Sequence, residues 1–296
     1  MITRREVVKA GAGLAAIIAA GKAPAALVRS MLGMRNTLTG RKTSGGYWGL
    51  CFTAEATGST VTLNQVGTPP TVALQTSADG KTWTDYVVGS MITLASVGDR
   101  VYFAAGPGGN VRLSSDSNSR YTFSMSGRIA ASGSIMSLLD RIDPPDSVPG
   151  SCYSGMFRDC TSLTSAPALP ATTLASYCYS GMFSGCTTLT SAPALPATTL
   201  ASYCYDGMFR DCPTLTSAPE LHATALVRFC YREMFYGCTS LTYIKVHFTT
   251  GWGGYTTSWV TGVSSSGVFR CSSALSHTAS DFGASKIPAG WEVDVF

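Results

Sequence analysis

Between residues 41 and 127, β-branched and aromatic side chains come in short runs separated by Gly, Asp and Pro. STVTLNQV, TVALQTS, KTWTDYVV, MITLASV, RVYFAA and SRYTFSMSG follow one another, with turn signals at Ala78-Asp79-Gly80-Lys81 and at Gly98-Asp99. Runs of this length, with no helical stretch between them, predict about seven strands folded as a β-sandwich.

From Cys152 the pattern changes to one that repeats. Near-identical units begin at Cys152, Cys178, Cys204 and Cys230, a step of 26; the first two differ only at Arg158/Ser184, Asp159/Gly185 and Ser162/Thr188. The fourth loses PALPATT and runs into TYIKVHFTT. A fixed period in this range predicts a solenoid, in which each unit buries its apolar face against its neighbours. At 100° per residue, Cys152, Tyr153, Met156, Phe157 and Cys160 share an arc of about 140°, and the variable positions 154, 155, 158, 159 and 162 fill the opposite one. One short amphipathic helix per unit is therefore expected, CY..MF..C inward, ending near the Cys212-Pro213 step and its equivalents. A brief extended segment through Leu163, Ala166, Ala168 and Leu169 should follow, kept short by Pro167 and Pro170. Leu174, Leu200 and Leu226 then return the chain to the core.

The expected fold is thus mixed and β-rich: an N-terminal β-sandwich at residues 41–127, then a short leucine-rich-repeat-like solenoid at 128–246, with one strand and one short helix per unit. ASGSIMSLLDRIDPPDSVPG would be its N-terminal capping unit, and residues 247–296 a C-terminal cap. Trp252, Trp259 and Trp291 supply apolar mass to close the open end; the sharper alternative is an exposed platform for a sugar ring.

Residues 1–40 stand apart. The apolar run from Ala10 to Ala20 is too short for a permanent membrane span. Thr3-Arg4-Arg5-Glu6-Val7-Val8-Lys9, then GAGLAAIIAAG and Lys22-Ala23-Pro24-Ala25, is similar to a twin-arginine export signal. The competing expectation is an amphipathic segment, continued through AALVRSMLGMRN, that docks the protein onto a larger assembly.

Composition narrows the function. Hydrophobic residues at 45% suffice for real cores. Charged residues at 13% and a net charge of +4 provide no basic stripe, which argues against nucleic acid as a partner. Ser, Thr, Gly and Asn make the polar surface, as in many extracellular and virion proteins.

The ten cysteines leave three readings open. Within a unit the pair sits eight residues apart, about 12 Å along a helix, where a disulfide needs Cα atoms within about 7 Å. Bridges between equivalent cysteines of neighbouring units, or small buried thiols, remain, and the spacing does not suit zinc. Of the three histidines, His222 replaces the proline of earlier units and is expected at a strand edge or turn. Nothing in the pattern joins it to His247 or His277, so no catalytic residues, cofactor or metal ligands are expected. Asp140, Asp143 and Asp146 are either a calcium cluster or a solvated acidic cap.

At the repeats the chain resembles the BspA-like leucine-rich repeat proteins, in the variant of gut-bacterial surface proteins and their phages. The shared pattern is CYxxMFxxCTSLTxAPxLPATTLA, filled here by Cys152-Tyr153, Met156-Phe157, Cys160 to Thr164 and Ala166 to Leu174. The resemblance extends to FTAEATGSTVTLNQVG, TSADGKTWTDY, SGRIAASGSIMSLLD and IPAGWEV. It implies a non-enzymatic, exported, surface-displayed protein that acts by adhesion to a host protein or glycan. The alternative is a bacteriophage virion component, such as a tail fibre, that meets a bacterial receptor. The motif positions are core positions, so the candidate binding residues come from elsewhere in each unit: the row Thr164, Thr190 and Thr216, and the variable face with Arg158, Asp159, Asp206, Arg210 and Arg232.

Overall fold

A computed structural model describes residues 49–250, 252–275 and 278–296; the signal-like or docking segment at 1–40 lies outside them. Among the described residues the chain is β-rich, and its only helical pieces are three short 3-10 turns at Ile135–Leu138, Gly253–Tyr255 and Ala279–Asp281.

The first region carries β1 (Leu50–Ala54), β2 (Ser59–Val66), β3 (Leu74–Ser77), β4 (Thr84–Asp85), β5 (Ile92–Leu94), β6 (Arg100–Ala105), β7 (Arg120–Ser126) and β8 (Ile129–Ser132). They form two open sheets, one in the order β4-β3-β6-β1-β8 and one in the order β5-β2-β7. Alternation dictates the packing: in β2, Ser59, Val61 and Leu63 are buried while Thr60, Thr62 and Asn64 are half-buried. Phe52 and Phe103 of the larger sheet meet Phe123 of the smaller one edge to face, with centroids 4.8 and 5.3 Å away. Two antiparallel sheets joined through one aromatic core are compatible with the sandwich expected there.

The repeats do not form helices. Cys152 to Cys160 and its equivalents are continuous turns, and the short amphipathic helix is replaced by a backbone of period four. Every fourth residue is left-handed: Ser151, Gly155 and Asp159, then Tyr177, Gly181 and Gly185, Tyr203, Gly207 and Asp211, and Phe229, Glu233 and Gly237, with φ between +51° and +76°. That conformation resets the chain before a helical i→i−4 bond can form. The even-numbered amides of the first unit close three-residue turns, as in Met156 N–H to the Tyr153 carbonyl (3.2 Å) and Cys160 N–H to that of Phe157 (3.1 Å). The odd-numbered amides leave the unit, so that Tyr153, Gly155, Phe157 and Asp159 donate to the carbonyls of Cys178, Ser180, Met182 and Ser184 at 2.8 to 2.9 Å. The same four bonds recur from the second copy to the third and from the third to the fourth. Equivalent rings are held face to face: Tyr153, Tyr179, Tyr205 and Tyr231 form one column, with centroids 5.8 to 6.0 Å apart. Phe157, Phe183, Phe209 and Phe235 form another, at 5.4 to 5.9 Å.

The inward set holds despite the changed backbone, since Cys152, Tyr153, Met156 and Phe157 and all their equivalents are fully buried. The outward set holds only in part. Arg158 and Asp159 are exposed, but Ser154 and Gly155 are buried, because a turn of period four gives position 154 to the contact with the next copy.

The expected strand exists in the first copy as β9 (Leu163–Ser165), is reduced in the third to isolated bridges such as Ser217 to Tyr243, and returns as a short strand at Tyr243–Lys245 in the fourth. β9 pairs in parallel with β8, so the first repeat is the outer strand of the six-stranded sheet. Phe157 continues the stack on Phe123, 5.3 Å away.

At the other end β10 (Tyr243–Lys245), β11 (Val268–Cys271) and β12 (Glu292–Val295) run parallel. Phe235 and Gly237 donate to Trp259 and Thr261, and Ser258 and Gly262 repeat the left-handed positions, so YTTSWVTG folds as a degenerate further copy. Trp259 and Trp291 are buried and donate their indole N–H groups to Lys286 and Ser264 carbonyls at 2.7 and 2.8 Å. Both rings close the core, and neither is an exposed sugar platform.

All ten cysteines are buried free thiols. Asp140 accepts from the Ile142 and Asp143 amides at 2.8 and 3.0 Å, the arrangement of a turn cap.

Candidate functional site

The left-handed position that opens each unit carries Ser151, Tyr177, Tyr203 and Phe229 in successive copies. A left-handed turn throws the side chain away from the core, and the stacking of copies brings these rings together on the outside. Tyr177 and Tyr203 lie 4.4 Å apart and nearly parallel, and Phe229 follows at 5.0 Å. Ser151 offers no ring, so the column ends at Tyr177, which is 42% exposed. A bulky residue in this conformation costs roughly 1–2 kcal/mol, and three copies carry one.

Arg232 closes the lower half of the ridge. Its guanidinium lies 5.4 Å from the ring centres of both Tyr203 and Phe229. It also binds Asp206 through two bonds of 2.8 Å, and this bond raises the proton affinity of Arg232 further. Asp206 is itself buried; burial pushes its carboxyl up and Arg232 pulls it back. Beside them Arg210 pairs with Glu233 and Asp211 and sits 4.6 Å from the Tyr236 ring.

Of the residues expected to bind a partner, the structure brings Asp206, Arg210 and Arg232 into one charged and aromatic cluster. Asp206 holds Arg232 in place and is not a free contact. Arg158 and Asp159 belong to the same column positions higher in the stack, where the Arg158 guanidinium covers Gly181. Thr164, Thr190 and Thr216 lie on the strand side of each unit. Thr164 is engaged with the Glu55 carboxylate at 3.0 Å and the Ile129 carbonyl at 3.1 Å, while Thr190 and Thr216 are exposed.

Two groups escaped sequence reasoning. The ridge was readable as an aromatic that recurs at positions 177, 203 and 229, one residue before each inward cysteine. The second group joins His222 to His247, which nothing in the sequence pattern brings together: their rings stack 5.5 Å from each other beside Glu220. Its signal was the change of PALP to PELH in the third copy.

No family model matches the chain, and neither a curated protein nor a solved structure matches it. Among the described residues, no helix is long and apolar enough to cross a membrane.

Proposed function

We propose that this is a non-enzymatic binding protein, displayed on a cell surface, whose stacked copies act as a short solenoid of the BspA-like kind and present the Tyr177–Tyr203–Phe229 ridge to a host glycan or protein. The observation that carries this reading is the unfinished ring column. Aromatic rings on a rigid scaffold, with a cation and hydrogen-bonding groups beside them, suit the flat C–H face of a sugar or an aromatic side chain of a protein. Core packing has no use for these rings, because Ser151 serves the first copy in the same place.

The test is binding of the purified protein to immobilised glycans and to host cells, compared with Tyr177→Ser and Tyr203→Ser. Both variants should keep the parent melting temperature and lose binding by at least about tenfold, the effect of removing an aromatic anchor. Unchanged binding would remove the ridge from the function.

A further inference from the structure

Away from the aromatic ridge, the third and fourth copies depart from the repeat at two adjacent columns. Ala168 and Ala194 are succeeded by Glu220, and Pro170 and Pro196 by His222; in the fourth copy, one residue shorter here because Leu221 pairs with Val246, the same columns carry Lys245 and His247. Packing does not require these changes, since the small and cyclic residues serve the earlier copies. The backbones that carry them are locked together: Leu221 N–H donates to the Lys245 carbonyl and His247 N–H to the Leu221 carbonyl, both at 3.0 Å. Residues 220 and 222 are two apart on one extended segment and 245 and 247 on the next, so all four side chains emerge from the same face.

We propose that Glu220, His222 and His247 form a binding site for a divalent transition-metal ion of the zinc class. One donor atom from each lies within 4.8 Å of the others. The Glu220 Oε1 is 2.6 Å from His247 Nε2 and 4.0 Å from His222 Nδ1. A tetrahedral ion bound at about 2.0–2.2 Å holds its donors roughly 3.3 Å apart. The carboxylate must therefore withdraw slightly from His247 and His222 must approach, movements that side-chain rotation provides. Two imidazoles and a carboxylate favour zinc, nickel or copper over calcium or magnesium, and leave a coordination position for water or a ligand. The side chains of Glu220, His222 and His247 are 36%, 41% and 29% exposed, so an ion reaches them from solvent. The Phe296 ring packs 5.1 Å from that of His247 and restricts its orientation.

Lys245 pairs with the same Glu220 oxygen, its Nζ 2.7 Å away. Metal binding displaces this ammonium, which makes Lys245 a competitor. Arg270, next along the stack, adds little to that competition because it is paired with Asp294 at 3.2 Å.

The experiment is calorimetric titration of the untagged full chain with zinc chloride at neutral pH, with the thiols confirmed as buried by their failure to react with a thiol reagent. About one ion per chain should bind and raise the melting temperature. His222→Gln combined with His247→Gln should weaken binding by at least about tenfold, as expected for loss of two of three ligands. Lys245→Met should tighten it, an outcome that a merely structural ion pair does not give. If the double variant binds zinc as the parent does, or the parent binds none, the site does not exist.

Discussion

The Sγ of Cys186 lies 3.1 Å from the carbonyl of Phe157, the phenylalanine of the preceding copy, and donates its proton there. Cys212 does the same to Phe183, and Cys238 to Phe209 at 3.0 Å. The second cysteine of the second, third and fourth units is thus a buried donor between copies, and that of the first, Cys160, donates to the Phe123 carbonyl of β7 at 3.1 Å. The native protein should therefore leave a disulfide-forming reagent such as 5,5′-dithiobis(2-nitrobenzoate) unreacted, and all ten thiols should react once guanidinium unfolds it. Rapid labelling of the cysteine columns in the native state would contradict this packing.

Alkaline pH should destabilise the fold through the buried thiols of both cysteine columns. Burial pushes Cys152, Cys178 and Cys212 up to about 12 and Cys230 to about 11. In the unfolded chain a thiol ionises near about 8.5. Above that pH the unfolded state releases protons that the folded state keeps. Stability is consequently full below about pH 8.5 and falls as pH rises, to about 11 for Cys230 and to about 12 for Cys152, Cys178 and Cys212, each thiol steepening the slope by roughly 1.4 kcal/mol per unit. Urea unfolding in reductant at successive pH values measures it, and a flat profile between pH 8 and 10 would refute the assignment.

Gly185 and Asp159 should be coupled. A Cβ on Gly185 would lie 2.3 Å from an Asp159 carboxylate oxygen and 3.3 Å from its Cα, and φ there is +76°. Gly185→Ala should cost about 1–2 kcal/mol for the left-handed backbone, with a further loss from the clash. Adding Asp159→Gly should recover the clash and leave the backbone cost. Additive effects in the double-mutant cycle would mean that the two residues do not touch.

Arg232→Ser alone should be more harmful than Asp206→Ser, because it strands a buried carboxylate, by roughly 1–3 kcal/mol. The double substitution restores the Ser154 and Ser180 of the first two copies and should return most of that loss. Denaturant midpoints of the three variants decide it; a double variant no better than Arg232→Ser would show that the pair is replaceable by neither.

Phe183→Ala tests the ring column directly. Phe183 is fully buried between Phe157 and Phe209, at 5.4 and 5.6 Å. Its truncation should lower stability by roughly 3–5 kcal/mol, seen as a shifted denaturant midpoint, and an effect below about 1 kcal/mol would mean that the column contributes little.

The 26-residue step and the inward residues were legible because packing repeats its demands in every copy. The backbone was misread for a definite reason. Positions 152, 153, 156, 157 and 160 fall on one side at a period of 3.6 and equally at a period of 4, and nine residues are too few to separate the two. The tie-breaker was Gly155, Gly181 and Gly207, recurring where a helix interior disfavours glycine by about 1 kcal/mol. The Glu220, His222 and His247 cluster was hidden for another reason: His222 and His247 are 25 residues apart, one short of the step between copies, and only the stacked backbone, with Leu221 paired to Val246, makes them neighbours.

Along the column that runs through residues 159, 185, 211 and 237, aspartate and glycine alternate, each aspartate leaning over the glycine below it. Excising one copy, residues 178–203, would stack Asp159 on Asp211, two like charges in left-handed turns. Excising or duplicating copies in pairs preserves the order. The unit by which this stack can be lengthened or shortened without setting aspartate on aspartate is therefore a doublet.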